Sequence, residues 1–152
     1  MLDAIKRFFE NNIDPARAGV RVDNDYRLRV ATAALLIEVM RADHYYHAVE
    51  RKEIARSLRR HFELVEEEVD ELVQLAEQEV ENAVDHFAFT SLIKNGFDRE
   101  EKIRVIELMW QVAYADQQLE KYEEALIRKI ADLIYVTHSD FIAAKHRVIH
   151  KS

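Results

Sequence analysis

Two glycines and one proline are all the turn-forming residues of this kind that the 152-residue chain contains. An all-β sandwich or barrel uses glycine and proline at hairpin after hairpin, so this chain has too few of them to build one. What remains is rich in good helix formers, and the expectation is an all-α fold. Its length suits one domain with a core large enough to need no disulfide or structural metal.

The same scarcity removes whole classes of chemistry. Gly19 and Gly96 stand alone, so no glycine-rich loop can bring backbone amides against a phosphate. With no cysteine there is no thiolate zinc site, thiol catalysis or disulfide framework. The 22 basic residues against 29 acidic ones give a net charge of −7, which argues against broad binding to a nucleic-acid backbone. The opening MLDAIKRFFE carries Lys6 and Arg7 and no apolar stretch of signal-peptide length, and nothing later approaches a membrane span. A soluble cytoplasmic protein with no integral membrane segment is therefore expected. The sequence carries no signature of oligomeric state.

Apolar residues recur three and four positions apart, as in Val30, Ala34, Ile37 and Met40, or Val65, Val69, Leu72 and Ala76. The spacing predicts a single-domain helical bundle of about seven to eight helices. They fall near Leu2 to Asn11, Asp25 to Ala42, Ala48 to Phe62, Glu66 to Ala83, Val84 to Lys94, Arg99 to Ala115, Lys121 to Ile134 and Ser139 to Ile149. Residues 1–24 form an N-terminal helix and a loop with Pro15 and Gly19, and 25–149 form the main domain. Gly96 is expected to end its helix in a left-handed conformation. Asp98 with Glu101 makes a capping box, and Thr137 or Ser139 caps the last helix. The helix from Arg99 bears two apolar stripes, which places it at the centre.

Charge is segregated. Ten acids and no Lys or Arg lie between Glu63 and Asp85, whereas Arg51 to Arg60 holds five basic residues and one acid. A solvated helix face beside a basic neighbour explains this, and a docking face for a basic partner is the functional alternative.

The most informative pattern is an internal repeat at an offset of 73 residues. LLIEVMRADHYYHAVERKEI, Leu35 to Ile54, lies over LMWQVAYADQQLEKYEEALI, Leu108 to Ile127, with hairpins near 35–62 and 108–135. Identities include Ala42/Ala115, Asp43/Asp116, Glu50/Glu123 and Ile54/Ile127. Packing explains the apolar ones but not the acids. Each Asp stands where a helix ends and each Glu seven positions on, in the first turn of the next, so each hairpin can present the two together. A pseudo-two-fold arrangement would bring four carboxylates near one another. Like charges about 5 Å apart repel by roughly 3 kcal/mol at an effective dielectric near 20, so such a cluster needs a divalent cation or the chain's own Arg41, Arg51 and Lys121. Turn chemistry accounts for the same acids: Asp43 and Asp116 can bond turn amides, and Glu50 and Glu123 suit a helix N-terminus.

The doubled pattern of helix, Ala-Asp, six residues, Glu and helix resembles the TerB-like domain of tellurite-resistance proteins. The second half, IELMWQVAYADQQLEKYEEALIRKIADLIYVTHSDFIAAK from Ile106 to Lys145, looks particularly like an uncharacterised bacterial branch, and the likeness runs from about Asp25 to Val148. The resemblance implies a helical bundle with pseudo-two-fold symmetry, an acidic cluster suspected of binding metal, and a setting of metal or envelope stress. It carries over onto Asp43, Glu50, Asp116 and Glu123. Where the family commonly has Gly after each Asp, this chain has His44 and Gln117, which weighs against calcium-like coordination. DHYYHAVE instead gathers Asp43, His44, His47 and Glu50, a donor set better suited to zinc or nickel.

No catalytic constellation emerges. Carboxylate-bridged di-metal bundles use Glu-x-x-His, and no histidine here has Glu three residues before it. Ser57, Ser91, Ser139 and Ser152 lack a nucleophile elbow or paired base, and THSD, Thr137 to Asp140, reads as a cap. Trp110, Phe87, Phe89 and Tyr114 read as core at helical spacing. The expectation is a non-enzymatic domain holding a divalent ion, calcium, zinc or nickel, with no organic cofactor. A metal-independent protein-interaction module is the alternative, and a protein partner is expected in either case. The basic tail Lys145, His146, Arg147, His150 and Lys151 is read as a solvated end.

Overall fold

A computed structural model describes residues 2–14, 24–42, 55–56, 58–60, 62–81, 88–115 and 120–149. Among these, seven helices follow one another: α1 (Leu2–Asn12), α2 (Asn24–Ala42), α3 (Glu66–Glu81), α4 (Ala88–Gly96), α5 (Arg99–Ala115), α6 (Glu120–Leu133) and α7 (His138–Ile149). Residues 55–56, 58–60 and 62 are helical as well, within the span read from sequence as Ala48 to Phe62. No strand occurs among the described residues.

The apolar stripes account for the packing. On α5, Val105, Ile106, Leu108, Met109 and Trp110 are all buried, so most of the helix circumference faces protein. It packs against α2, α6 and α7, and α2 packs against α3, α4, α5 and α6, so the two helices share the centre. Trp110 meets Phe141 with ring centroids 5.4 Å apart, which confirms that tryptophan as core. Phe87 and Tyr114 lie outside the residues whose side chains are described.

Helix ends follow local chemistry, with one correction. Asp98 accepts from the Glu101 amide at 2.8 Å while Glu101 accepts from the Asp98 amide at 3.1 Å, a complete capping box. Thr137, not Ser139, caps α7, its hydroxyl accepting from the Asp140 amide at 3.1 Å. Gly96, expected to be left-handed, is the last residue of α4 and has no positive φ. Its lack of a side chain serves packing instead: a Cβ there would lie 3.2 Å from Cζ of Phe9 on α1. Among the described residues the left-handed ones are Glu63, with φ of 53°, and Tyr135, with φ of 65°. After them the Leu64 amide reaches back to the Arg59 carbonyl at 3.2 Å, and the Val136 amide to that of Ala131 at 2.8 Å.

Those two turns show that the repeat extends beyond the segment matched in sequence, at an offset of 72 residues. Leu58/Ile130, Phe62/Ile134, Leu64/Val136, Val69/Phe141 and Leu72/Ala144 are buried at corresponding places. The tie between helices also recurs. Tyr26 in the first turn of α2 donates its hydroxyl to Glu68 on α3 at 2.6 Å. Arg99 at the start of α5 donates to Asp140 on α7 at 3.0 and 2.9 Å.

The two ties respond oppositely to pH. Burial, then the hydrogen bond to Glu68, raises the Tyr26 pKa above its ordinary 10.0, so its stabilising contribution is present below pH 10 and lost as pH rises through the folded-state value. The Arg99 hydrogen bond holds the Asp140 carboxyl below its ordinary 3.8, so its contribution is present above that value and lost as pH falls through the lower folded-state value. Urea midpoints should show this: the deficit of Tyr26→Phe relative to the parent shrinks in alkali, and that of Asp140→Asn shrinks in acid. Deficits that stay constant across both limits would count against these ties.

Candidate metal site

α2 is described to Ala42 and α5 to Ala115, and the repeated aspartates Asp43 and Asp116 are the next residues in sequence. In the second copy Glu123 lies within α6, which is described from Glu120. The side chain of Glu123 and all of Asp43, His44, His47, Glu50 and Asp116 lie outside the described residues. Among the described residues no group of three or more His, Asp or Glu is placed to hold a metal ion.

What is described is the helical frame on either side of these positions. The N-terminal turns of α2 and α5 are held together: Arg27 bonds Glu101, and Arg104 lies 3.9 Å from Asp25. The early parts of both central helices thus lie side by side, each with an acid that pairs with an arginine of the other. Beside Glu123 in sequence, Glu124 pairs with Lys145 of α7 at 3.1 Å, and Lys145 also lies 5.2 Å from the Trp110 ring centroid. Arg147 is likewise engaged, with Glu107 at 3.0 Å. Two basic residues of the supposed solvated tail therefore bind the body of the protein, while His150 and Lys151 lie outside the described residues.

Two buried charged groups were not among the sequence candidates. Glu38 on α2 is 2% exposed and accepts from the Phe89 amide at 2.8 Å, the Thr90 amide at 2.8 Å and the Thr90 hydroxyl at 2.5 Å. It caps the N-terminus of α4 from a neighbouring helix, a use that engages both its oxygens. A signal was available, since Glu38 interrupts the apolar run ATAALLIEVM. Arg27, also 2% exposed, donates to the Ile13 carbonyl at 2.8 Å and to Glu101, and lies over the Phe97 ring at 5.2 Å. No local pattern marks it.

The acids of α3 divide. Glu68 holds Tyr26, and Glu66 pairs with Arg59 at 3.0 Å. Glu66, Glu67, Asp70 and Glu71 are exposed along the helix. No described helix is long and apolar enough to cross a membrane.

This twice-built helical frame is accompanied by a family match. The family model described as tellurite resistance protein TerB matches residues 29–146. The chain belongs to the TerB family. The match takes in α2 from its second turn through nearly all of α7, and α1 lies outside it. No curated protein and no solved structure matches the chain.

Proposed function

We propose that this TerB domain is a non-enzymatic binder of a divalent cation, acting through the repeated acids Asp43, Glu50, Asp116 and Glu123 in a bacterial response to metal or envelope stress. The observation supporting it is the doubled frame, in which α2 and α5 are pinned together near their starts, with a repeated aspartate following the described part of each in sequence. The donor set fits such an ion. Four carboxylates suit a hard cation, and His44 and His47 beside Asp43 and Glu50 shift the preference towards zinc or nickel. Bound there, the ion would supply positive charge to offset the repelling carboxylates, and the chain's part is to hold the donors.

Calorimetric titration of chelator-treated protein with calcium, zinc and nickel tests this. Saturable binding is expected that the Asp43→Ala/Asp116→Ala variant loses and that His44→Ala weakens for zinc and nickel. If no ion binds even at about millimolar concentration, where binding would contribute only about 4 kcal/mol, the acids are turn chemistry. The domain is then a metal-independent interaction module, a reading favoured by the exposed acids of α3.

A further inference from the structure

α1 buries a single stripe. Ile5, Phe8, Phe9 and Ile13 are buried, while Lys6, Arg7 and Asn11 are exposed. Its main helical neighbour is α4, where Phe8 meets Phe89 edge-on with ring centroids 6.0 Å apart. Gly96 makes room for Phe9, and Arg27 holds the carbonyl of Ile13 just beyond the helix. The arrangement is that of an amphipathic helix seated in an apolar groove and read through anchors at i, i+3, i+4 and i+8. α4 also has support from outside α1, through its contacts with α2 and the Glu38 cap on the Phe89 and Thr90 amides. The family match begins at residue 29, after α1 has ended.

From these observations we infer that the face of α4 carrying Phe89 and Gly96 is a receptor for an amphipathic helix, filled by α1 as an intramolecular ligand, and that α1 leaves it as a unit while the α2–α7 bundle stays folded. Local openings of this kind occur where one element meets the rest through a limited surface. The groove's occupant is α1 itself, and an open copy would accept α1 of a second copy by the same contacts. The inference does not depend on metal binding.

Hydrogen exchange followed by mass spectrometry on the full chain tests it, across a series of low urea concentrations. The α1 amides are expected to exchange at least about tenfold faster than those of α5 and α7, through an opening that leaves the latter protected. Gly96→Ala, which crowds Phe9, should speed α1 exchange severalfold and leave α5 unchanged. A labelled synthetic peptide of residues 2–14 should bind saturably to the full-length Phe9→Ala chain, and the same peptide carrying Phe9→Ala should not. Exchange of α1 only through the global unfolding that also exposes α5 would overturn the proposal. So would a folded Phe9→Ala chain that ignores the peptide, or a Phe9→Ala chain that unfolds altogether, since α1 would then be an inseparable part of the core.

Discussion

Replacing Glu38 with alanine is expected to lower the unfolding free energy by about 3–5 kcal/mol, among the largest effects of any single change in this chain. Three donors converge on its carboxylate, and Ala88, Phe89 and Thr90 are all buried, so water cannot take its place at the start of α4. A buried donor left without an acceptor costs about 1–3 kcal/mol, and two orphaned amides plus a hydroxyl, partly relieved by local relaxation, give the total above. Glu38→Gln should cost less, about 1–3 kcal/mol, because one oxygen is kept while the new amide nitrogen faces donors. Thr90→Val removes only the hydroxyl donor, at about 1 kcal/mol. Guanidinium unfolding midpoints would check the order. An alanine variant within about 1 kcal/mol of the parent would mean that the α4 amides find other acceptors.

A loss of similar size, about 3–5 kcal/mol, is expected for Arg27→Ala. Truncation strands the Ile13 carbonyl and leaves the partly buried Glu101 carboxylate without its counter-charge, because the guanidinium serves both at once. Lysine should not substitute: a single ammonium cannot reproduce the planar fork or its placement over the Phe97 ring. Arg27→Met combined with Glu101→Gln should recover part of the loss, since removing both charges avoids an uncompensated one. A double-mutant cycle would measure the coupling, and strictly additive single effects would show that the two groups do not act as a pair.

These two residues mark where local reading stops. The capping box at Asp98 and Glu101, the Thr137 cap and the start of α5 were legible because each depends on neighbours within one turn. Gly96 was misread for the opposite reason: a glycine two residues after Lys94 suggests a left-handed helix end, but Phe9 from a distant helix sets the requirement. The left-handed ends fall at Glu63 and Tyr135, residues with no such propensity, held there by the reach-back bonds to Arg59 and Ala131. Tyr135 is also 73% exposed, so its ring contributes little burial to offset that conformation.

The candidate site was legible as a pattern and only in part as a place. Identities at 73 residues mark Asp43/Asp116 and Glu50/Glu123 as equivalent, and of these four only Glu123 falls on a described element, α6. The match fades after Ile54/Ile127 because the second copy is one residue shorter before Ala131. A fixed offset then compares residues on different faces of a helix. Buried positions restore the register at 72, from Leu58/Ile130 to Leu72/Ala144.

By itself the sequence determined the helical character of the described residues, the sides of those helices that turn inward, several helix ends, its repeat and its kinship with TerB. Each of these is written in spacing and composition, which act over a few residues at a time. Tertiary structure alone decided that Tyr26 meets Glu68 as Arg99 meets Asp140, that Glu38 caps α4, and that Arg27 joins α2, α5 and the end of α1. The physical reason is distance along the chain: a buried charge is stable only beside a partner, and that partner is supplied by helices tens of residues away.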